Sequence, residues 1–179
     1  MNRFALPLGF FVLLAVVLAI GIKHSPDKGT IASPLIGKAA PQFSLPSLTD
    51  AGRIINSSDL RGRWYLFNVW GTWCVGCRQE HEVLLQMRHA DVVPIIGLNW
   101  KDDTAQALSL LSQLGNPYEI VAVDKDGREA IDWGVYGAPE TFLVNDKGIV
   151  VYKYVGPLTL EAWEKDILPR LPPRQASKS

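Results

Sequence analysis

The chain has 179 residues, 47% of them hydrophobic, and its 18 basic and 18 acidic side chains cancel. Charges that balance and are scattered lack the basic stripe of a nucleic-acid-binding face, and two cysteines are too few for a disulfide-rich scaffold. A four-ligand zinc site would have to draw on those cysteines, on carboxylates or on three histidines, His24, His81 and His89.

From Phe4 to Ile22 the sequence is uncharged, close to the roughly 20 residues that cross a bilayer as a helix. A cleaved signal peptide is the alternative, with Ala19 and Gly21 as a small-x-small site. The run, however, exceeds the usual apolar core of about 7–15 residues. Residues 1–22 are therefore expected to be a retained membrane anchor, and 23–34, rich in Gly, Pro and Ser, a tether. A domain is expected over 35–172, with a short tail at 173–179.

In chain order, "PQFSLPSL" and "GRII" predict short strands joined through Asp50 to Gly52. Trp64 to Trp70 is apolar at nearly every position, as in a strand buried on both faces. An amphipathic helix is predicted from about Val75 to Met87, with Val83, Leu84 and Met87 on its apolar side. A buried strand over Val92 to Leu98 follows, then a helix from Ala105 to Leu114 with Gly115 as its C-cap. "EIVAV" predicts a third strand, and a short helix is placed around Glu129 to Trp133. "GAPETFLV" and "IVVYKYV" flank the turn "NDKG" and predict a hairpin at the sheet edge. A last helix spans Leu160 to Leu168. Alternating strands and helices with a closing hairpin predict an α/β sandwich around a mixed sheet.

The chemistry concentrates in "NVWGTWCVGCRQEH" (68–81), which holds both cysteines. Cys74 falls where the strand hands over to the helix. Unpaired N–H groups and the helix dipole there favour an anion, which lowers a thiol pKa and activates the thiolate. Cys77 follows one turn later, close enough for a disulfide to close, with Trp70 and Trp73 as shields and Gly76 keeping the bridge accessible. An inert staple is disfavoured, because so short a loop restrains the unfolded chain little. His81 completes C-x2-C-x3-H and leaves a copper or haem chaperone, with Cys74, Cys77 and His81 as ligands, as an alternative to a redox pair. Pro139, in "GVYGAPETF", stands at the mouth of a strand, where proline is accepted. A cis Ala138–Pro139 bond would offer backbone groups to an extended substrate, and a trans bond starting an edge strand is the plainer reading.

A CxxC at a strand-to-helix junction with a proline before a late strand resembles the thioredoxin fold. The fuller pattern, "LIGKAAPQFSLPSL", "NVWGTWCVGCRQEH", "LNWKDD", "LGNPYEI", "DKDG" and "WGVYGAPETFLVNDKGIVVYKYVG", resembles the membrane-tethered thiol:disulfide interchange proteins of cytochrome c maturation, the DsbE/CcmG family. That resemblance implies a thioredoxin-like domain on the periplasmic side of the inner membrane, held by a single N-terminal transmembrane helix and needing no cofactor. It implies a protein-disulfide reductase that keeps the CxxCH of apocytochrome c reduced for haem attachment, directly or through a CcmH partner, using electrons from a DsbD-type membrane reductase. A disulfide-forming oxidase would differ only in potential. Cys74 would attack and Cys77 resolve, with Trp73, Ala138 and Pro139 meeting the substrate. Glu80 and Glu140 match the acidic residues that flank the family's active site. Two departures stand out: Val75-Gly76 replaces the Pro-Thr of some relatives between the cysteines, and Asn68 stands where thioredoxins keep a buried aspartate. A base must then come from elsewhere, and Glu80 and Glu140 are expected to repel each other and raise a carboxyl pKa.

Overall fold

The structure, a computed structural model, describes residues 5–23 and 33–173. Most of the predicted tether and all but the first residue of the tail lie outside the described residues. A helix, α1 (Ala5–Lys23), forms over the uncharged run. Among the described residues, though, no helix is long and apolar enough to cross a membrane. The expected transmembrane helix is therefore not among the described elements.

Two sheets make the frame. Strands β1 (Ser44–Pro46) and β2 (Ile54–Asn56) pair as a small antiparallel hairpin. The central sheet contains β3 (Tyr65–Trp70), β4 (Ile95–Trp100), β5 (Ile120–Asp124), β6 (Glu140–Val144) and β7 (Val150–Val155), in the order β5-β4-β3-β6-β7. β3, β4 and β5 run parallel, linked by α2 (Val75–Ala90) and α3 (Thr104–Leu114), while β6 and β7 are antiparallel additions. A short α4 (Arg128–Asp132) precedes β6. This is the predicted α/β arrangement of helices around a mixed sheet.

Three details differ from the sequence expectation. β4 starts at Ile95 rather than Val92 and continues through Trp100. Pro94 has no N–H to give the ladder and contributes only its carbonyl, to the Leu66 N–H, while the buried Asn99 extends the strand beyond the apolar run. Only β7 is an edge. β6 pairs on both sides and all five of its residues are buried, including Glu140 and Thr141. The last helix is broken into α5 (Leu160–Ala162), a π-helical turn (Trp163–Ile167) and a 3-10 turn (Leu168–Arg170) around Pro169, which cannot continue an α-helical ladder.

Strand alternation sends successive side chains to opposite faces and divides the core in two. Leu66, Trp70 and Leu143 pack toward Leu84 and Met87 of α2. Phe67 and Phe142 pack on the other face against Trp133, whose ring stacks on Phe67 at 4.0 Å between centroids. The same parity decides where each polar side chain of β3 and β6 points.

Candidate active site

Cys74 is the N-cap of α2, with an extended backbone, and its Sγ accepts a hydrogen bond from the Cys77 N–H at 3.0 Å. That N–H is one of the orphan donors of the first helical turn, so it is aimed at sulfur and stabilises negative charge there. The two cysteines are joined as a disulfide with Cα atoms 5.3 Å apart, and both are buried. An exchange reaction must therefore reach the pair through the surface formed by its neighbours.

Pro139 supplies part of that surface. It follows Ala138 through a cis peptide bond, and its ring lies against Gly76. A Cβ on Gly76 would approach Pro139 Cδ to 2.9 Å and Pro157 Cγ to 3.1 Å. Glycine between the cysteines thus lets Pro139 and Pro157 pack closely against the helix start, beyond any access it gives a partner. Trp73 is half exposed beside the pair, and its Nε1 donates to the Trp100 carbonyl at 3.2 Å. Trp70, predicted as a second shield, is instead buried and stacked on Tyr118.

Beneath the helix lies a buried polar chain. Asn68 Nδ2 donates to Glu80 Oε1 at 2.8 Å and to Thr141 Oγ1 at 3.0 Å, and the Tyr118 hydroxyl donates to Asn68 Oδ1 at 2.8 Å. Glu80 Oε2 accepts from the Leu158 N–H at 2.8 Å. Burial pushes the Glu80 carboxyl up from 4.5 to about 7, although the bonds from Leu158 and Asn68 pull the other way. Burial, and then the charge of Glu80, raise the Tyr118 hydroxyl well above its usual 10. The direction of the Glu80 shift is the one predicted, but its cause is desolvation and not repulsion by Glu140.

The structure does not bring Glu140 to Glu80. Thr141 shares the Asn68 face of the sheet, so Glu140, one residue earlier, points to the opposite face. There it is fully buried against Lys153, with 2.8 Å between Oε2 and Nζ. His81 has a partner within the chain. It is buried, and its Nε2 donates to the Gly115 carbonyl at 3.0 Å. Among the described residues no three His, Cys, Asp or Glu side chains are grouped to hold a metal ion.

Comparison with known proteins places this geometry. The Redoxin family model matches residues 35–167. The thiol:disulfide interchange protein DsbE of Allochromatium vinosum is 44% identical over 177 residues, covering 99% of this chain and 97% of its own. That of Pseudomonas aeruginosa is 44% identical over 164 residues, covering 92% and 89%. The chain belongs to the Redoxin family, among the DsbE proteins. A crystal structure of a DsbE-type protein from Chlorobium tepidum is 32% identical, with a TM-score of 0.64 over 75% of this chain and 96% of that one. Fold and activity follow together: the chain is a thioredoxin-like thiol:disulfide oxidoreductase.

Sequence reasoning passed over three residues of this DsbE-type site. Asp102 accepts from Thr72 N at 2.7 Å, Thr72 Oγ1 at 2.6 Å, Asn99 Nδ2 at 2.8 Å and Asp103 N at 2.9 Å, and so fixes the turn that delivers Cys74. Its signal was the acidic pair in "LNWKDD" directly after a buried strand. Tyr118, in "LGNPYEI", orients the Asn68 amide. Lys153, an isolated cation in the apolar run "IVVYKYV", marks a buried partner for an acid.

Proposed function

We propose that the chain is an extracytoplasmic reductase that opens the CxxCH disulfide of apocytochrome c, directly or through a CcmH-type partner, before haem attachment. In this reading Cys74, as thiolate, attacks one sulfur of the partner's disulfide. The S–S bond breaks, the other partner sulfur leaves as thiolate, and a mixed disulfide forms. Cys77 then loses its proton and attacks Cys74 Sγ, which expels the second partner thiol. Two electrons have passed to the partner and the Cys74–Cys77 bond is closed. A DsbD-type membrane reductase reopens it by the same exchange in reverse.

The observation that carries the reading is an N-cap cysteine, Cys74, whose partner Cys77 is followed one turn later on the same helix face by the buried Glu80. With a carboxyl that titrates near neutral pH, Glu80 takes the Cys77 proton in the place of the aspartate that Asn68 replaces. Trp73, Ala138 and Pro139 form the rim against which the substrate backbone lies. Glu140 has no part in the proton step, because it faces the other side of the sheet. His81, held by Gly115, favours the redox pair over a copper or haem chaperone. The uncharged run over 4–22 supports an inner-membrane anchor, with the domain on the periplasmic side.

One experiment tests partner and placement. The Cys77→Ser chain, expressed in cells that make c-type cytochromes, should accumulate a mixed disulfide with apocytochrome c or a CcmH-type protein, sedimenting with membranes. Cys74→Ser should accumulate none. Trapping by Cys74→Ser alone would reverse the two roles, adducts lacking both proteins would sink the proposed substrate, and an adduct cut near Gly21 and free in solution would remove the anchor.

A further inference from the structure

Lys153 lies at the edge of the sheet, where a lysine ordinarily reaches water, yet only 3% of it is exposed. Its ammonium donates to the Gly134 carbonyl at 2.9 Å, and lies 4.8 Å from the centre of the Tyr136 ring and 5.1 Å from that of Phe142. It also sits 2.8 Å from Glu140 Oε2, a charge pair by distance but not an aligned hydrogen bond. The other oxygen of Glu140 accepts from the Tyr136 N–H at 3.3 Å. The two buried charges thus grip one loop from beneath, Lys153 at Gly134 and Glu140 at Tyr136. That loop ends in Ala138 and Pro139, and Gly156 next to β7 donates its N–H to the Pro139 carbonyl at 2.9 Å.

Burying two charges is costly, and an apolar pair of similar volume often serves stability as well or better. A loop with glycines at 134 and 137 has backbone freedom to lose. Position is what the pair supplies. We infer that Lys153, with Glu140, is a brace that positions the 134–139 loop for capture of a polypeptide disulfide, acting from the face of the sheet opposite the cysteines. The inference rests on the reading that Pro139 and Ala138 meet the substrate. Lys153 touches neither substrate nor sulfur, so it is a positioning residue, and its removal should slow polypeptide substrates while sparing small ones.

The test uses the full chain in detergent micelles, as parent, Lys153→Met, Lys153→Arg and the double variant Lys153→Met with Glu140→Gln, which leaves no orphan charge. Two oxidised peptides are presented, one with a CxxCH disulfide and one with the histidine replaced by alanine. Equilibration with glutathione supplies the substrate-independent reading of the cysteine pair. The brace predicts a fall of about tenfold or more in the reduction rate of either peptide for Lys153→Met and for the double variant, as misplaced positioning groups typically cost. It also predicts recovery in Lys153→Arg and a glutathione equilibrium within about twofold of the parent. If Lys153→Met fails to fold, the double variant carries the same prediction. Unchanged peptide rates would overturn the brace. So would a glutathione equilibrium displaced as far as the rates, since Lys153 would then act on the thiolate through its charge. Whether the parent prefers the CxxCH peptide is a separate readout: indifference counts against the proposed substrate and leaves the variant-to-parent ratio as the test of the brace.

Discussion

Glu80→Gln isolates the proton held under the active-site helix. Below about pH 4.5 the carboxyl is protonated in both the folded and the unfolded chain, and its burial makes no pH-dependent difference. As pH rises, the unfolded chain releases the proton near 4.5 while the folded chain keeps it until about 7. The folded state then binds more protons than the unfolded one, so stability falls through that window and the loss is complete above about 7. At roughly 1.4 kcal/mol per pH unit, a carboxyl moved from 4.5 to about 7 contributes a loss of about 3 kcal/mol between those limits. Gln cannot titrate. It forfeits part of the bonding to Asn68 and Leu158, an offset of about 1–2 kcal/mol that does not depend on pH. The difference in unfolding free energy between parent and variant should therefore move by about 3 kcal/mol in favour of the variant from pH 4 to pH 8, or roughly 6–12 °C in Tm for a chain of this size. Denaturant unfolding of the oxidised chains, followed by tryptophan fluorescence, reads this out with the cysteines unable to titrate. Parallel pH profiles for parent and variant would show that folding leaves the Glu80 carboxyl unshifted and would refute its role as a neutral-pH base.

Two substitutions test the surroundings of the pair. Gly76→Ala puts a methyl 2.9 Å from Pro139 Cδ; the better helix former returns up to about 1 kcal/mol, so Tm should change little while polypeptide disulfide reduction slows about tenfold. A parent-like rate would show that contact between Gly76 and Pro139 does not govern access. Asp102→Ala strips Thr72 of two acceptors and should cost about 2–3 kcal/mol in denaturant unfolding, the range for lost charge-assisted bonds; a cost under about 0.5 kcal/mol would mean that the turn before Cys74 holds itself.

Element order was readable because each buried strand, such as "WYLFNVW", is apolar beyond what a half-exposed strand requires, and because Gly115 stops α3 cleanly. The site's outline was readable for a different reason: a CxxC at a strand end has few other uses. What stayed hidden was orientation across the sheet. Glu140 and Thr141 are adjacent letters, yet one-residue parity sends them to different cores, and only the register Asn68–Thr141 decides which. Likewise the buried face of α2 carries Cys77, Glu80, His81, Leu84 and Met87. Two polar members of that stripe have partners, Leu158 and Gly115, that lie 78 and 34 residues away. Local pattern cannot supply such partners, so His81 reads as a candidate metal ligand until the chain is folded.

The two glutamates serve different ends, and the difference follows from what each is buried against. A buried carboxylate beside a cation is tied to one place, because moving either partner strands the other. A buried carboxyl with only neutral donors instead trades its proton near neutral pH, since desolvation opposes the charge and hydrogen bonds only partly restore it. Glu140 with Lys153 is the first kind, and it holds a loop. Glu80, reached by Asn68 and the Leu158 amide, is the second. An exchange reaction needs Cys77 to lose a proton in a site already crowded by a second sulfur, and a permanently ionised neighbour would oppose the new thiolate. A carboxyl near its midpoint can accept that proton and become neutral in the same step, so the net charge of the buried cluster does not change. An Asn at 68 fits this arrangement: it donates to Glu80 when charged, yet adds no second negative group beneath the cysteines.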